Sequence, residues 1–377
     1  MPSCLFPYYR MRPFFLKVVL VLACLGCGRV AESVGFEIPR LEFEPRQYVC
    51  TRATGPVTID GKFDEQAWQS AARTSEFVDI EGPALPAPDH RTSVRMLWDD
   101  NYFYVAAQLV EPHVWGTLKE RDSVIYHDND FEVFIDPDGD NHLYYELEIN
   151  ALGTEWDLML VRPYRDGGPA INAWDIQGLK TAVHVDGTIN DPSDEDRGWT
   201  VEIAIPWEVL AQAAGRPSPP EYGDIWRVNF SRVQWRTRIV DGRYEKRTDP
   251  DTGKPLPENN WVWSPQGLIA MHYPEMWGEV YFAPEAFIDF DSASTEHLAI
   301  TAAASLMPLY YLQKQWFEDH GSFAATLAEL GFPDASNPMP ADWSLSLEVC
   351  GNGFTARLNT RHGTATIDEN GRLERKP

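Results

Sequence analysis

Basic residues are scarce in this 377-residue chain: 32 Lys and Arg stand against 57 Asp and Glu, for a formal charge of −25. So negative a chain is repelled by phosphate backbones and anionic membrane surfaces, which excludes nucleic acid and direct membrane adsorption as partners. Cysteine is sparse too, five residues in all, too few for the disulfide framework of a small secreted scaffold. No apolar run approaches the roughly 20 residues of a spanning helix. Neither H-E-x-x-H nor G-x-S-x-G occurs. The stretch from Gly55 to Gly61-Lys62 is one residue too long for a P-loop, and no helix follows Gly351-Asn352-Gly353. Metalloprotease, nucleophile-elbow hydrolase and nucleotide-binding chemistries thus lack their local signatures. Aromatic residues, by contrast, are plentiful: 14 Trp, 15 Tyr and 18 Phe. Tryptophan beyond the needs of a core suits stacking on flat ligands, including the apolar faces of sugar rings.

The N-terminus reads as an export leader. Arg10, Arg12 and Lys17 precede the short apolar run from Val18 to Ala23, and no acid occurs before Glu32. A positive segment followed by a short hydrophobic one is a signal peptide, assigned here to residues 1–27. Cys24 after Val21-Leu22-Ala23 resembles a bacterial lipobox, as does Cys27 after Leu25-Gly26. Ordinary cleavage near Gly28, or a C-x-x-C redox or zinc pair, are the alternatives. Lipidation at Cys24 would tether the protein without spanning, and the expected location is secreted, periplasmic or at the cell surface. Cys50 and Cys350 are then left either as a disulfide joining the start of the fold to its end or as two unpaired thiols.

Residues 28–47 form an acidic, Pro-containing linker, and regular alternation starts near Tyr48. Phe103, Val105, Ala107 and Leu109 alternate with more polar neighbours, as do Phe131, Val133 and Ile135, then Tyr145, Leu147 and Ile149, then Trp199, Val201, Ile203 and Ile205. Period two with one polar face marks half-buried antiparallel strands. Turns such as Asp99-Asp100-Asn101 and Asp166-Gly167-Gly168 punctuate them. The pattern predicts a mainly β protein, an antiparallel, jelly-roll-like β-sandwich over 48–285, with short helices over 64–72 and 206–213. The stretch 236–260 reads as a long loop or hairpin. From 286 to 377 the composition shifts to a small α+β region, with one helix over 298–317, a second over 322–330 and a β-meander.

Two groups of acids offer chemistry. Glu132, Glu146, Glu148 and Glu202 fall on the polar faces of predicted strands, where two of them flanking a cleft would serve a glycoside hydrolase; a solvated sheet face produces the same pattern. Asp136, Asp138 and Asp140 present hard oxygens at alternate positions, which suits structural calcium, or they form a plain acidic turn. Gly139 sits at the fourth position of that run, so it is no EF-hand loop.

Five segments in order resemble family 9 carbohydrate-binding modules: Ile59-Asp60-Gly61-Lys62-Phe63-Asp64-Glu65-Gln66-Ala67-Trp68, Leu97-Trp98-Asp99-Asp100-Asn101-Tyr102, Asp130-Phe131-Glu132-Val133-Phe134-Ile135-Asp136-Pro137, Tyr144-Tyr145-Glu146-Leu147-Glu148-Ile149-Asn150, and Gly198-Trp199-Thr200-Val201-Glu202-Ile203. Trp226-Arg227-Val228-Asn229-Phe230 follows them. The resemblance, from about Val57 to Phe282, implies a sandwich that binds polysaccharide or oligosaccharide without hydrolysing it, as part of glycan catabolism. The family's tryptophan clamp is replaced here by Tyr126 and by His272 or Tyr273, and an arginine used by known members is replaced by Glu148. The resemblance therefore implies stacking on Tyr126 and Tyr273, with Glu148, Asn150 and Arg232 bonding hydroxyls. Loop tryptophans Trp115, Trp156, Trp174, Trp235, Trp261 and Trp263 are further stacking candidates. A hydrolase, or a surface scaffold that has lost sugar binding, remains the alternative function.

Overall fold

The computed structural model describes residues 36–284, 294–332 and 339–376; the leader, with Cys24 and Cys27, lies outside the described residues. Fifteen strands build the first region in chain order: β1 Gln47–Arg52, β2 Val78–Asp79, β3 Thr92–Trp98, β4 Tyr102–Val110, β5 Asp130–Asp136, β6 Tyr144–Asn150, β7 Glu155–Leu160, β8 Ala170–Ile171, β9 Lys180–Asp186, β10 Gly198–Pro206, β11 Ile225–Gln234, β12 Thr237–Val240, β13 Arg243–Lys246, β14 Asn259–Val262 and β15 Gly278–Ala283. Turn chemistry sets the hairpins. Asp99 Oδ1 accepts from the N–H groups of Asn101 (2.7 Å) and Tyr102 (2.8 Å), an Asx turn that reverses β3 into β4.

Hydrogen bonding runs β8-β7-β6-β5-β11-β15-β1-β3-β4-β10-β9, with β14 and β2 attached at β11. Alternate residues of β3, β4, β5, β6, β10, β11 and β15 nevertheless enter one hydrophobic cluster, so the sheet curls into two facing layers, β8 to β15 and β3 to β9. Strand β1 is the seam, pairing parallel to both β15 and β3. A mixed sheet at this seam is the one departure from the all-antiparallel expectation. Trp98, Trp199, Trp207, Trp226 and Phe282 are all nearly solvent-free, and Trp98, Trp207, Trp226 and Phe282 meet edge to face, with Trp207 and Trp226 centroids 5.4 Å apart. Each large apolar side chain removed from water in this way contributes roughly 1.5–3 kcal/mol. The expected helices shrink to α1 Gln66–Ser70 and α2 Trp207–Leu210.

The second region folds around its own cluster. Helices α3 Thr295–Ala304 and α4 Met307–His320 pack on a meander of β16 Ser344–Cys350, β17 Gly353–Thr360, β18 Gly363–Asp368 and β19 Leu373–Lys376. The single helix expected over 298–317 breaks at Ser305-Leu306, where Pro308 occupies the first turn of α4. No helix forms over 322–330, because the Gln313 side chain takes both backbone groups of Ala324 (2.9 and 3.0 Å) and fixes a turn instead. Phe36 and Ile38 pack into this second cluster, while Leu41 and Phe43 pack beside Leu268, Tyr273 and Met276. The described part of the expected linker is thus a packed strap. Cys50 is buried in the sandwich and Cys350 is exposed on the meander; both are free thiols, so the disulfide alternative is overturned.

Close packing beside β11 also depends on a glycine. A Cβ on Gly278 would overlap the six-membered ring of Trp263, itself fully buried. Gly278→Ala is expected to cost about 1–3 kcal/mol, read as a lower urea midpoint at unchanged slope.

Candidate functional site

In the β5–β6 ladder, Phe131, Val133, Leu147 and Ile149 face the core, so their neighbours Asp130, Glu132, Glu146 and Glu148 share the outer face. Register places Glu132 directly opposite Glu148, and Glu148 opposite Trp156 on β7. All four acids are buried, beneath a face bordered by β14 and the 271–277 segment, whose Val262, Met271 and Trp277 pack on Phe134, Tyr144 and Leu158. Burial raises every one of these carboxyls. Glu132 is pushed up to about 7, with the nearby Ser231 holding it back and Glu258 adding to the rise. Glu146 reaches about 8 through burial and then the charge of Glu132. Asp130 and Glu148 lie well above the carboxylate range, again through burial and then Glu132.

Tyr126 stands over this group. Its backbone is pinned on both sides: its N–H donates to Glu148 Oε2 (2.9 Å), and its carbonyl accepts from Trp235 Nε1 (2.8 Å). Its ring is 39% exposed and lies 6.4 Å from that of Trp156, tilted by 35°. Across the acids stands Tyr164, 53% exposed. Burial and the charges of Glu146, Glu148 and Tyr126 raise its phenol to about 12, and its ring meets His272 edge-on at 4.5 Å. The face therefore has two exposed tyrosines, a half-buried tryptophan and an acidic floor. Tyr164 escaped the sequence reading because it follows Pro163 in a loop, outside any strand alternation; the Asp166-Gly167-Gly168 turn after it was the available signal.

Several expected contacts are otherwise engaged. Tyr273 is buried away from Tyr126; its hydroxyl donates to Glu37 O (2.8 Å) and the Arg165 guanidinium covers its ring at 4.2 Å. Asn150 is saturated: its amide donates to Leu118 O and Asp128 Oδ2, and its oxygen accepts from the N–H groups of Leu152 and Thr154. Arg232 has no solvent exposure and donates to Glu111 (2.7 Å), Gln234 and Thr92. These three hold the scaffold, and their polar atoms are not free for sugar hydroxyls. Glu148 is consumed in part by Tyr126. Trp115, Trp235, Trp261 and Trp263 are buried, and Trp174 stacks on Tyr145. Glu202 sits on the other layer, accepting from the N–H groups of Asp60 and Gly61 and from Trp68 Nε1. It takes no part in a paired-carboxylate site.

The carboxylates of Asp136, Asp138 and Asp140 converge, with one oxygen from each within 4.8 Å of the others. Many of their lone pairs are already used: Asp136 accepts from the N–H groups of Gly139 and Asn141, and Asp140 from that of His142 and from Arg372. A plain, internally bonded turn accounts for these bonds, and the same oxygens suit a hard cation.

Carboxyls raised in the folded state favour it while protonated, so their contribution is present at low pH and lost as pH climbs through their folded values. In chelator-treated protein the melting temperature is expected to fall by several degrees from about pH 5 to about pH 8, and Glu132→Gln/Glu146→Gln should flatten that slope.

Residues 59–220 match the family model described as "Carbohydrate family 9 binding domain-like". Among curated proteins, the chain is 28% identical over 173 residues to endo-1,4-beta-xylanase A of Thermotoga maritima and 27% identical over 169 residues to exoglucanase XynX of Acetivibrio thermocellus. These matches take in 45% and 44% of this chain but only 13% of each relative. Among solved structures, a family 9 carbohydrate-binding module from Caldicellulosiruptor kristjanssonii in complex with cellotriose aligns at TM-score 0.41 and 15% identity, over 66% of this chain and 97% of that one. The ordered motifs from Ile59 onward and the family match over the same stretch agree: residues 59–220 belong to the family 9 carbohydrate-binding-like domains.

Proposed function

We propose that this protein binds polysaccharide or oligosaccharide non-catalytically, on the face formed by Tyr126, Trp156 and Tyr164. The observation that carries the reading is the position of that face: two exposed tyrosines over the strands that hold the domain's central acidic motifs. A pyranose stacks its apolar C–H face on an aromatic ring and turns its hydroxyls to acceptors, and Glu146 and Glu148, whose charges act on both tyrosines, are the acceptors nearest this face. The curated relatives are a xylanase and an exoglucanase in which the matching stretch is a small part, which supports a role beside glycan degradation rather than in it. A plant-type β-glycan is the ligand class this favours. The leader and its Cys24 lipobox support export and tethering of the N-terminus by lipid, and the oxygens of the Asp136, Asp138 and Asp140 turn, although of a type that suits calcium, are largely taken up by bonds within the protein.

Migration through native gels containing soluble β-glycans tests the proposal. The wild-type protein should be retarded by at least one glycan without releasing reducing ends. Tyr126→Ala/Tyr164→Ala should weaken retardation about tenfold or more, ~1.4 kcal/mol or above, with an unchanged melting curve. Unretarded wild type, or retention unaltered in the double variant, would contradict it.

A further inference from the structure

The described residues contain three places where carboxylate oxygens from three residues lie within 4.8 Å of one another. Two are internally compensated. Arg121 pairs with Asp157 and Asp122 and lies 3.5 Å from Asp175; Asp136, Asp138 and Asp140 are tied by backbone N–H groups and by Arg372. The third, Asp130 with Glu132 and Glu148, is not. Among the described residues no Lys or Arg forms an ion pair with any of them. The neighbouring cations are engaged elsewhere: Arg232 with Glu111, and Lys246 over the Trp235 ring at 3.2 Å. The other charges facing the group, Glu146 and Glu258, are negative as well.

Two further atoms point to a missing partner. Asp130 Oδ2 and Ser231 Oγ are buried on side chains with no solvent exposure and have no hydrogen-bond partner. Ser231 stands opposite Glu132 across the β5–β11 ladder, close to its carboxyl but outside hydrogen-bonding geometry. Buried carboxylates facing one another, an orphaned carboxylate oxygen and an orphaned hydroxyl are costly together. A cation removes all three penalties at once.

We propose that Asp130, Glu132 and Glu148, with the Ser231 hydroxyl, hold a divalent cation of the calcium class, and that this ion makes glycan binding at the Tyr126–Tyr164 face calcium-dependent. The second half rests on the carbohydrate-binding reading. The ligand set is all oxygen, as a hard cation requires, and oxygens that all lie within 4.8 Å of one another are close enough to share one ion, since two at about 2.4 Å on opposite sides of it stand no farther apart. The carboxylates rise from paired strands, so little ordering is needed on binding. Calcium takes roughly six to eight oxygens, and three carboxylates plus one hydroxyl leave positions for water or for vicinal glycan hydroxyls.

Terbium luminescence excited through the aromatic residues tests the site, because Trp156 lies opposite Glu148. Terbium emission that calcium competes away is expected in the wild type and in Asp138→Asn/Asp140→Asn, lost in Glu132→Gln/Glu148→Gln, and reduced severalfold in Trp156→Phe, whose carboxylates are intact should the double variant fail to fold. No emission in the wild type, loss only in the Asp138 and Asp140 variant, or full emission in Trp156→Phe would overturn the site. Glycan retardation is then compared with calcium and with chelator, and a loss of at least tenfold in chelator is expected. Equal retardation in both would overturn the calcium dependence while leaving carbohydrate binding intact. No retardation under any condition, with terbium still bound, would overturn the carbohydrate reading while leaving the cation site.

Discussion

Two glutamates stand face to face in the middle of a β-ladder, and the candidate site is organised by that placement. The register that pairs Glu132 with Glu148 is imposed by the core: slipping β5 by one residue would drive Glu132 inward and Phe131 outward. The hydrophobic cluster therefore holds two carboxyls together on the outer face, where burial and proximity to other acids raise both. The same ladder delivers Tyr126, because Glu148 accepts its backbone N–H, and sets Trp156 beside it. Scaffold and site share strands, and the packing of their inner face fixes the register of the acids on the outer one.

The second region contributes from the opposite direction. Glu275 receives both Arg165 nitrogens (2.6 and 3.0 Å) and the Tyr311 hydroxyl, while Asp166 receives the Tyr310 hydroxyl and Lys314. Arg165 and Asp166 immediately follow Tyr164, so helix α4 fixes the short turn that presents this tyrosine. Buried pairs of this kind contribute little net stability against apolar substitutes, yet losing one partner strands the other's charge. Their value here is positional. The C-terminal region, which the sequence marks only as a compositional shift to α+β, anchors one wall of the candidate site.

Much of the fold was legible in the sequence because period two survives in strands with one fully apolar side: β4, β5, β6 and β10 all fall where alternation places them. The site was legible only in part. Tyr126, Glu148 and Trp156 of the proposed face are legible as candidates because they sit on or beside such strands. Tyr164 sits in a loop whose position depends on contacts with residues about 110 to 150 places away, which no local pattern encodes. Asn150, Arg232 and Tyr273 were assigned to ligand because polar and aromatic types suit sugar equally well and suit buried networks equally well; only their partners distinguish the two. Helix breaks at Ser305 and in the 322–330 stretch were hidden for a similar reason, since Gln313 competes for backbone groups from a distance of eleven residues.

The most direct measurement is a crystal structure of the protein grown with calcium and a retained β-glycan oligosaccharide. The account predicts a pyranose ring within about 4 Å of the Tyr126 and Tyr164 rings, above the Glu132–Glu148 pair. A saccharide bound on the β3–β4–β10 layer or on the C-terminal meander, with the Tyr126–Tyr164 face empty, would contradict it.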